Sequence, residues 1–186
     1  MTDASRSARD RGDPGIRPLS RSDLPGIKAV IAATELFPPD LLDGMTAAHF
    51  ADEASPEIWL TAEAGEGSGT GGPVAVLYCA PERMTSGTWN TLLIAVHPDH
   101  QGRGIGAALT RHVEAVLTGR GERVLLVETS GLPDFERTRT FYRGLGYEQE
   151  ARIREFYAAG EDKIVFRKAR APTPRTSRAS SASDFR

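Results

Sequence analysis

The sequence predicts an α/β (α+β) domain built on one mixed, mostly antiparallel sheet of about seven strands, with about four helices. Three observations carry that prediction. Apolar runs of strand length share the chain with segments whose apolar residues recur every three or four positions. Three of the runs follow one another with only turns between them, which makes an antiparallel meander. The last of the three runs into a glycine-rich turn that opens a helix, V-H-P-D-H-Q-G-R-G-I-G-A from Val96 to Ala107.

Taken in order, a short strand at Ile16 to Leu19 is followed by Ser22, which can cap a helix carrying Leu24, Ile27, Val30 and Ile31 on one face. Phe37-Pro38-Pro39 stops that helix, and a second runs from Asp40 to about Ala54 with Leu41, Leu42, Met45 and Phe50. Glu57 to Ala64 reads as a strand. The run G-E-G-S-G-T-G-G then has no capacity to pack and forms a flexible hairpin turn. Val74 to Ala80 and Thr88 to Val96 complete the meander. From Gly104, the residues Ile105, Leu109, Val113, Val116 and Leu117 trace one helical face that ends near Gly119 and Gly121. Val124 to Val127 is a continuous apolar run, expected to lie parallel to the strand before the helix. Asp134 can cap a helix with Phe135, Phe141, Tyr142 and Leu145, and strands at about Tyr147 to Phe156 and Lys163 to Arg167 close the body.

A chain of 186 residues, 39% hydrophobic and 26% charged, supports one domain. Residues 1–13 and 170–186 have little to bury and are expected to be disordered tails, leaving 14–169 as the folded domain. The net charge of -2 gives no case for a nucleic-acid partner. Without the basic tail the body is somewhat more acidic, a mild bias towards cationic substrates. The lone Cys79 sits in an apolar run, as a buried thiol would, and no signal peptide or membrane span is visible. A cytoplasmic protein with no membrane partner is expected.

The glycine turn suits an anion. Gly102, Gly104 and Gly106 let backbone approach a ligand, the helix start offers unpartnered N–H groups, and Arg103 adds a cation. Gly102, Gly104 and Ala107 also fit the dinucleotide fingerprint, with Glu122 or Glu128 near the ribose-binding distance. His97 to Gln101 intervene between strand and first glycine, however, and antiparallel strands precede the unit, so a dinucleotide fold would be incomplete. No G-K-[ST] follows, which excludes a Walker A loop. A tight turn without a ligand is the plain alternative.

Gln101, Gly104 and Gly106 match the Q/R-x-x-G-x-G/A signature of the GNAT superfamily of acyl-CoA N-acyltransferases, which the chain resembles. R-T-F-Y-R-G-L-G-Y, Arg139 to Tyr147, is similar to that family's aromatic-Tyr-x-x-x-G-aromatic element, and the element order agrees from about Ile16 to Arg167. Phe135 stands where many members carry an Asn, which puts in doubt any contact credited to that Asn. The resemblance implies helices on both faces of the sheet and strands four and five splayed apart, with acetyl-CoA in the gap. The cofactor arm would bond the backbone of Ile94, Ala95 and Val96, and the pyrophosphate would reach the turn formed by Gln101, Gly102, Arg103, Gly104, Ile105, Gly106 and Ala107.

The implied reaction is attack of an amine on a thioester. A backbone N–H near Ile94 or Ala95 would hold the oxyanion. An alkyl ammonium, with a pKa of ~10.4, must lose a proton, and the thiolate must gain one. The resemblance puts Tyr142 beside the sulfur as the donor, against a reading in which Phe141 and Tyr142 only pack the helix. Glu128 is the first choice of base, ahead of Glu35 and Glu53; each reads more readily as a solvated surface carboxylate than as a catalyst. His97 and His100 are spaced like weak metal ligands, yet nothing completes a site, so no metal is expected. Trp59 and Trp89 read as packing residues, and Ser130 has no nucleophile elbow. The loop Leu36 to Leu42 and the segment Phe156 to Glu161 would flank a small-molecule amine, and a homodimer is compatible with the sequence. The rival functions are a non-catalytic CoA-binding regulatory module and a protein N-terminal or lysine acetyltransferase.

Overall fold

A computed structural model describes residues 14–63 and 72–169. Among them the chain runs β1 (Ile16–Pro18), α1 (Leu24–Thr34), α2 (Leu41–Ala51), β2 (Ile58–Glu63), β3 (Pro73–Pro81), β4 (Thr88–Val96), α3 (Ile105–Gly119), β5 (Val124–Ser130), α4 (Glu136–Gly144), β6 (Glu148–Ala158) and β7 (Glu161–Ala169). The strands form a single sheet in the order β1-β2-β3-β4-β5-β7-β6. Only β4 and β5 are parallel neighbours; the expected meander is β2-β3-β4. Most of the flexible turn proposed between β2 and β3 lies outside the described residues.

Side chains alternate across each strand, so the sheet has a core on either face. On the first face Ile105, Leu109, Val113 and Leu117 of α3 and Tyr142 of α4 pack on Leu77, Trp89, Leu125, Val127, Ile164 and Phe166. On the second, Ile27, Val30 and Ile31 of α1 and Leu42 of α2 cover Trp59, Val76, Leu93 and Ala95. Each such large apolar side chain contributes roughly 1.5–3 kcal/mol on full burial. Helices therefore cover both faces, but α1 packs chiefly over β3 and β4, and among the described residues no side chain of β5 or β7 belongs to the second core.

Helix starts differ from the sequence reading in two places. Ser22 does not cap α1: it lies in a 3-10 turn, Arg21–Asp23, whose capping box is built by Ser20 and Asp23, with the Ser20 N–H donating to Asp23 Oδ2 at 2.8 Å, and α1 starts from Asp23 without a side-chain cap. Arg17 fixes Asp23 there by donating to both of its carboxylate oxygens at 2.7 Å, so the cap follows the ion pair. Asp134 does not cap α4 either. It lies in a 3-10 turn, Pro133–Phe135, and α4 begins at Glu136. Buried Arg139 holds that turn by donating to the carbonyls of Ser130 at 2.6 Å and Leu132 at 2.8 Å. α1 ends at Glu35, in the left-handed region at φ 53°, before the prolines are reached.

The feature that positions the site is an interruption between β4 and β5. Their ladder runs from Thr88↔Val124 to Thr91↔Val127 and stops, while β5 continues to Ser130 against β7. On the other edge of β4, Tyr78 pairs with Leu93 and Cys79 with Thr91, leaving Leu92 as a surplus residue. Such a bulge bends the strand that carries it. β4 follows β3 and leaves β5, opening the wedge that the family resemblance implied.

Candidate active site

The alternation of β4 decides which backbone groups face the wedge. His97 donates its N–H to the Val74 carbonyl at 2.9 Å, opposite it on β3. Counting back in an antiparallel ladder, Ala95 also turns its N–H and C=O to β3, whereas Ile94 and Val96 turn theirs to the open edge. Of the three strand residues expected to meet a cofactor, Ile94 and Val96 offer backbone groups and Ala95 does not. The Ala95 side chain belongs to the second core.

Beyond Val96 the chain makes a tight turn. His97 Nδ1 accepts from the Asp99 N–H at 3.3 Å, and the His100 N–H donates to the His97 carbonyl at 2.8 Å. Gln101 folds back so that its side-chain amide donates to the Val96 carbonyl at 3.1 Å. Gly102 and Gly104 sit at φ 74° and 85°, where a side chain would be strained. The Ala108 N–H reaches the Gly104 carbonyl at 2.9 Å, so the N–H groups of Ile105, Gly106 and Ala107 have no intrahelical acceptor. They make the positive end of α3 a ready anion site.

A cavity of about 390 Å³ joins these groups. One wall is Ile94, Val96, Gln101, Gly102 and Gly104 through Ala107; the other is Arg137, Thr138, Phe141 and Tyr142 of α4, with His100 at the turn. Arg103 is exposed and stands outside this lining. Sequence reasoning missed His100, Arg137, Thr138 and Phe141 as cavity residues. The signal for three of them was present, because positions 137, 138, 141 and 142 share one helical face.

Tyr142 is buried and still lines the cavity. Its ring packs at 5.0 Å from Phe141, 5.6 Å from Tyr147 and 5.9 Å from Phe166, and its hydroxyl bonds no described residue. Burial pushes the phenol above its ordinary pKa, so it stays protonated at neutral pH. The structure thus puts a protonated O–H on the cavity wall.

Glu128 follows the last β4–β5 pair by one residue, at the apex of the wedge. Leu125 and Val127 belong to the first core, so Glu128 points to the second face, where no helix packs on β5. Its Oε2 lies 2.6 Å from the Lys163 Nζ. That ammonium also sits 3.5 Å from the Phe156 ring centroid and 5.9 Å from that of Tyr157. The two rings arrive there through a bulge in β6: Ile153 pairs with Lys163 and Ala158 with Glu161, so residues 154–157 face Asp162 alone. Asp162 closes the bulge by accepting from the Glu155 N–H at 2.9 Å and from Arg152. Glu35 and Glu53 are exposed and neither lines the cavity.

The remaining candidates pack. Trp59 stacks on Tyr78 at 4.0 Å, Trp89 is buried in the first core, and the Ser130 hydroxyl accepts from the Leu132 N–H at 3.1 Å. Cys79 is buried, which pushes its thiol up to about 12. Among the described residues no helix is long and apolar enough to cross a membrane.

Known structures share this architecture. A GNAT-family acetyltransferase from Desulfovibrio desulfuricans superposes with a TM-score of 0.74 at 28% identity, over 84% of this chain and 98% of that one. The ribosomal-protein-S18-alanine N-acetyltransferase of Escherichia coli gives 0.66 at 23% identity, over 88% and 97%. A phosphinothricin acetyltransferase from Sinorhizobium meliloti, solved with AcCoA, gives 0.69 at 16%, over 90% and 97%. No curated protein sequence matches the chain significantly. The family model for the acetyltransferase (GNAT) domain matches residues 55–149, half of the chain, spanning both the glycine turn and the Phe141-Tyr142 block. The chain belongs to the GNAT acetyltransferase family.

Proposed function

We propose that this protein is an acetyl-CoA-dependent N-acetyltransferase that moves the acetyl group to a primary amine of a small molecule by direct attack in a ternary complex. The observation that carries the reading is the single cavity joining the unpaired edge of β4, the N-terminus of α3 and the Tyr142 side chain. Those groups fit an extended acyl-CoA. The pantetheine arm adds as a strand to Ile94 and Val96, and the pyrophosphate takes the N–H groups of Ile105 to Ala107, with Arg137 and Arg103 nearby as cations. The Sinorhizobium neighbour, solved with AcCoA, supports the same cosubstrate.

In the reaction the amine nitrogen bonds to the thioester carbonyl carbon, and the Ile94 N–H steadies the oxygen that becomes negative. The C–S bond then breaks, Tyr142 gives its proton to the sulfur, and the proton lost by the amine passes to Glu128 directly or through water. No covalent enzyme intermediate is needed. The protein is assigned to the cytoplasm, with no nucleic-acid or membrane partner.

Thioester consumption over a panel of small amines and amino-terminal peptides tests this. Transfer to small amines, lowered strongly in Tyr142→Phe, is the expected result. Preference for the peptides would make this a protein acetyltransferase. Acetyl-CoA binding without transfer to any acceptor would make it a regulatory module.

A further inference from the structure

Glu128, Lys163, Phe156 and Tyr157 form a second constellation outside the cofactor cavity. A carboxylate 2.6 Å from an ammonium, with an aromatic face 3.5 Å from the same nitrogen, is the donor set that recognises an alkyl ammonium ion. The ammonium it holds belongs to the chain itself. Lys163 is buried, its ammonium lies over the Phe156 ring, and its partner Glu128 stands at the apex of the wedge. Ile164 and Phe166 belong to the first core, so Lys163 points to the second face, the one left without a helix over β5 and β7. The β6 bulge is spent on bringing the two rings there, because a regular ladder has no room for residues 154–157 opposite Asp162.

We infer that this cluster is the seat for the acceptor's primary ammonium group, and that Lys163 is a tethered occupant which the acceptor must displace. The inference rests on the transferase reading above and adds the chemistry of the acceptor: an unhindered alkyl ammonium that can enter between a carboxylate and an aromatic face. Glu128 holds the incoming cation at the point where β4 and β5 part. Lys163 makes the seat selective, since weakly cationic amines cannot compete with an ammonium already in place.

Lys163→Ala removes the atoms of a propylammonium ion, so n-propylammonium is the probe. Calorimetry on the full chain with CoA present should show it binding the variant at least about tenfold more tightly than the wild type, the worth of one such contact. The gain should vanish in Glu128→Gln/Lys163→Ala. The variant should also form N-propylacetamide faster than the wild type. Lys163→Met, which keeps an unbranched apolar chain without the charge, should lower KM for alkyl ammonium acceptors about fivefold with kcat little changed. No gain in binding, a gain that survives Glu128→Gln, or a raised KM in Lys163→Met would overturn the inference. Binding gain without turnover in any variant on any amine would defeat the transferase reading and leave the seat standing. Wild-type turnover with no binding gain would do the reverse.

Discussion

The Gln101 side-chain amide donates to the Val96 carbonyl at 3.1 Å, so a signature residue of the turn is spent on the last residue of β4. That bond ties the turn to the end of the strand along one wall of the cavity. Gln101→Leu should cost roughly 0.5–1.5 kcal/mol of stability, the net worth of one such bond. KM for acetyl-CoA should rise several-fold while kcat changes less. Chemical denaturation and initial-rate kinetics read the two effects separately.

Gly104 and Gly106 should respond differently to alanine. Gly104 sits at φ 85° and caps α3, so Gly104→Ala strains the backbone by roughly 1–2 kcal/mol. Gly106 lies inside α3 without a positive φ, and a Cβ there would lie 3.6 Å from Phe141 Cζ and 3.7 Å from Val96 Cγ2, ordinary contact distances. Gly106→Ala should therefore leave the fold as stable or raise stability by up to about 1 kcal/mol through helix propensity. Its methyl group would narrow the cavity, and acetyl-CoA binding measured by calorimetry should weaken at least about tenfold.

Tyr142→Phe should lower kcat by about 10² while KM for acetyl-CoA moves little, because the hydroxyl bonds no described residue and its loss leaves the packing intact. Burial raises the pKa of Tyr142, holds Tyr78 up at about 12 with help from the Glu57 carboxylate, and holds Cys79 at about 12. A raised folded pKa gives stability that is complete below the unfolded value and lost as pH climbs through the folded one. Stability should thus fall from about pH 9–10 upward. Thermal unfolding across that range should show a shallower fall in Tyr142→Phe.

Asp23 carries the opposite dependence. The Arg17 guanidinium, followed by the Ser20 hydroxyl and N–H, holds its carboxyl well below the usual carboxylate range. A depressed folded pKa gives stability that is present above the unfolded value of about 3.9 and lost as pH falls towards the folded one. Asp23→Asn should reduce stability at pH 7 by roughly 1–3 kcal/mol and flatten the acid limb of the unfolding curve. An unchanged acid limb would assign that limb to other carboxylates.

The sequence placed every strand and helix in order because apolar spacing reports which face of an element is buried, and Gly104 and Pro98 mark real breaks. It misplaced caps. Ser22 has the right chemistry for one, but Arg17 fixes Asp23 in the capping box of a 3-10 turn that precedes α1, and an ion pair across six positions leaves no periodic trace. Bulges were equally hidden: one surplus residue at Leu92, or residues 154–157 against Asp162, look like ordinary strand composition. At the site, Gly102 and Gly104 were legible because side chains rarely adopt φ values of 74° and 85°. The Glu128 and Lys163 pair was not, because it depends on β5 and β7 lying side by side.

The opening between β4 and β5 comes down to a count. With Leu92 removed, Thr91 and Leu93 would alternate without interruption opposite β3, and nothing in β4 would hold it away from β5 beyond Thr91. The core residues on both faces would keep their positions. An in-frame loss of a single codon is therefore expected to close the cleft and leave both cores packed, with Glu128 and Tyr142 still encoded.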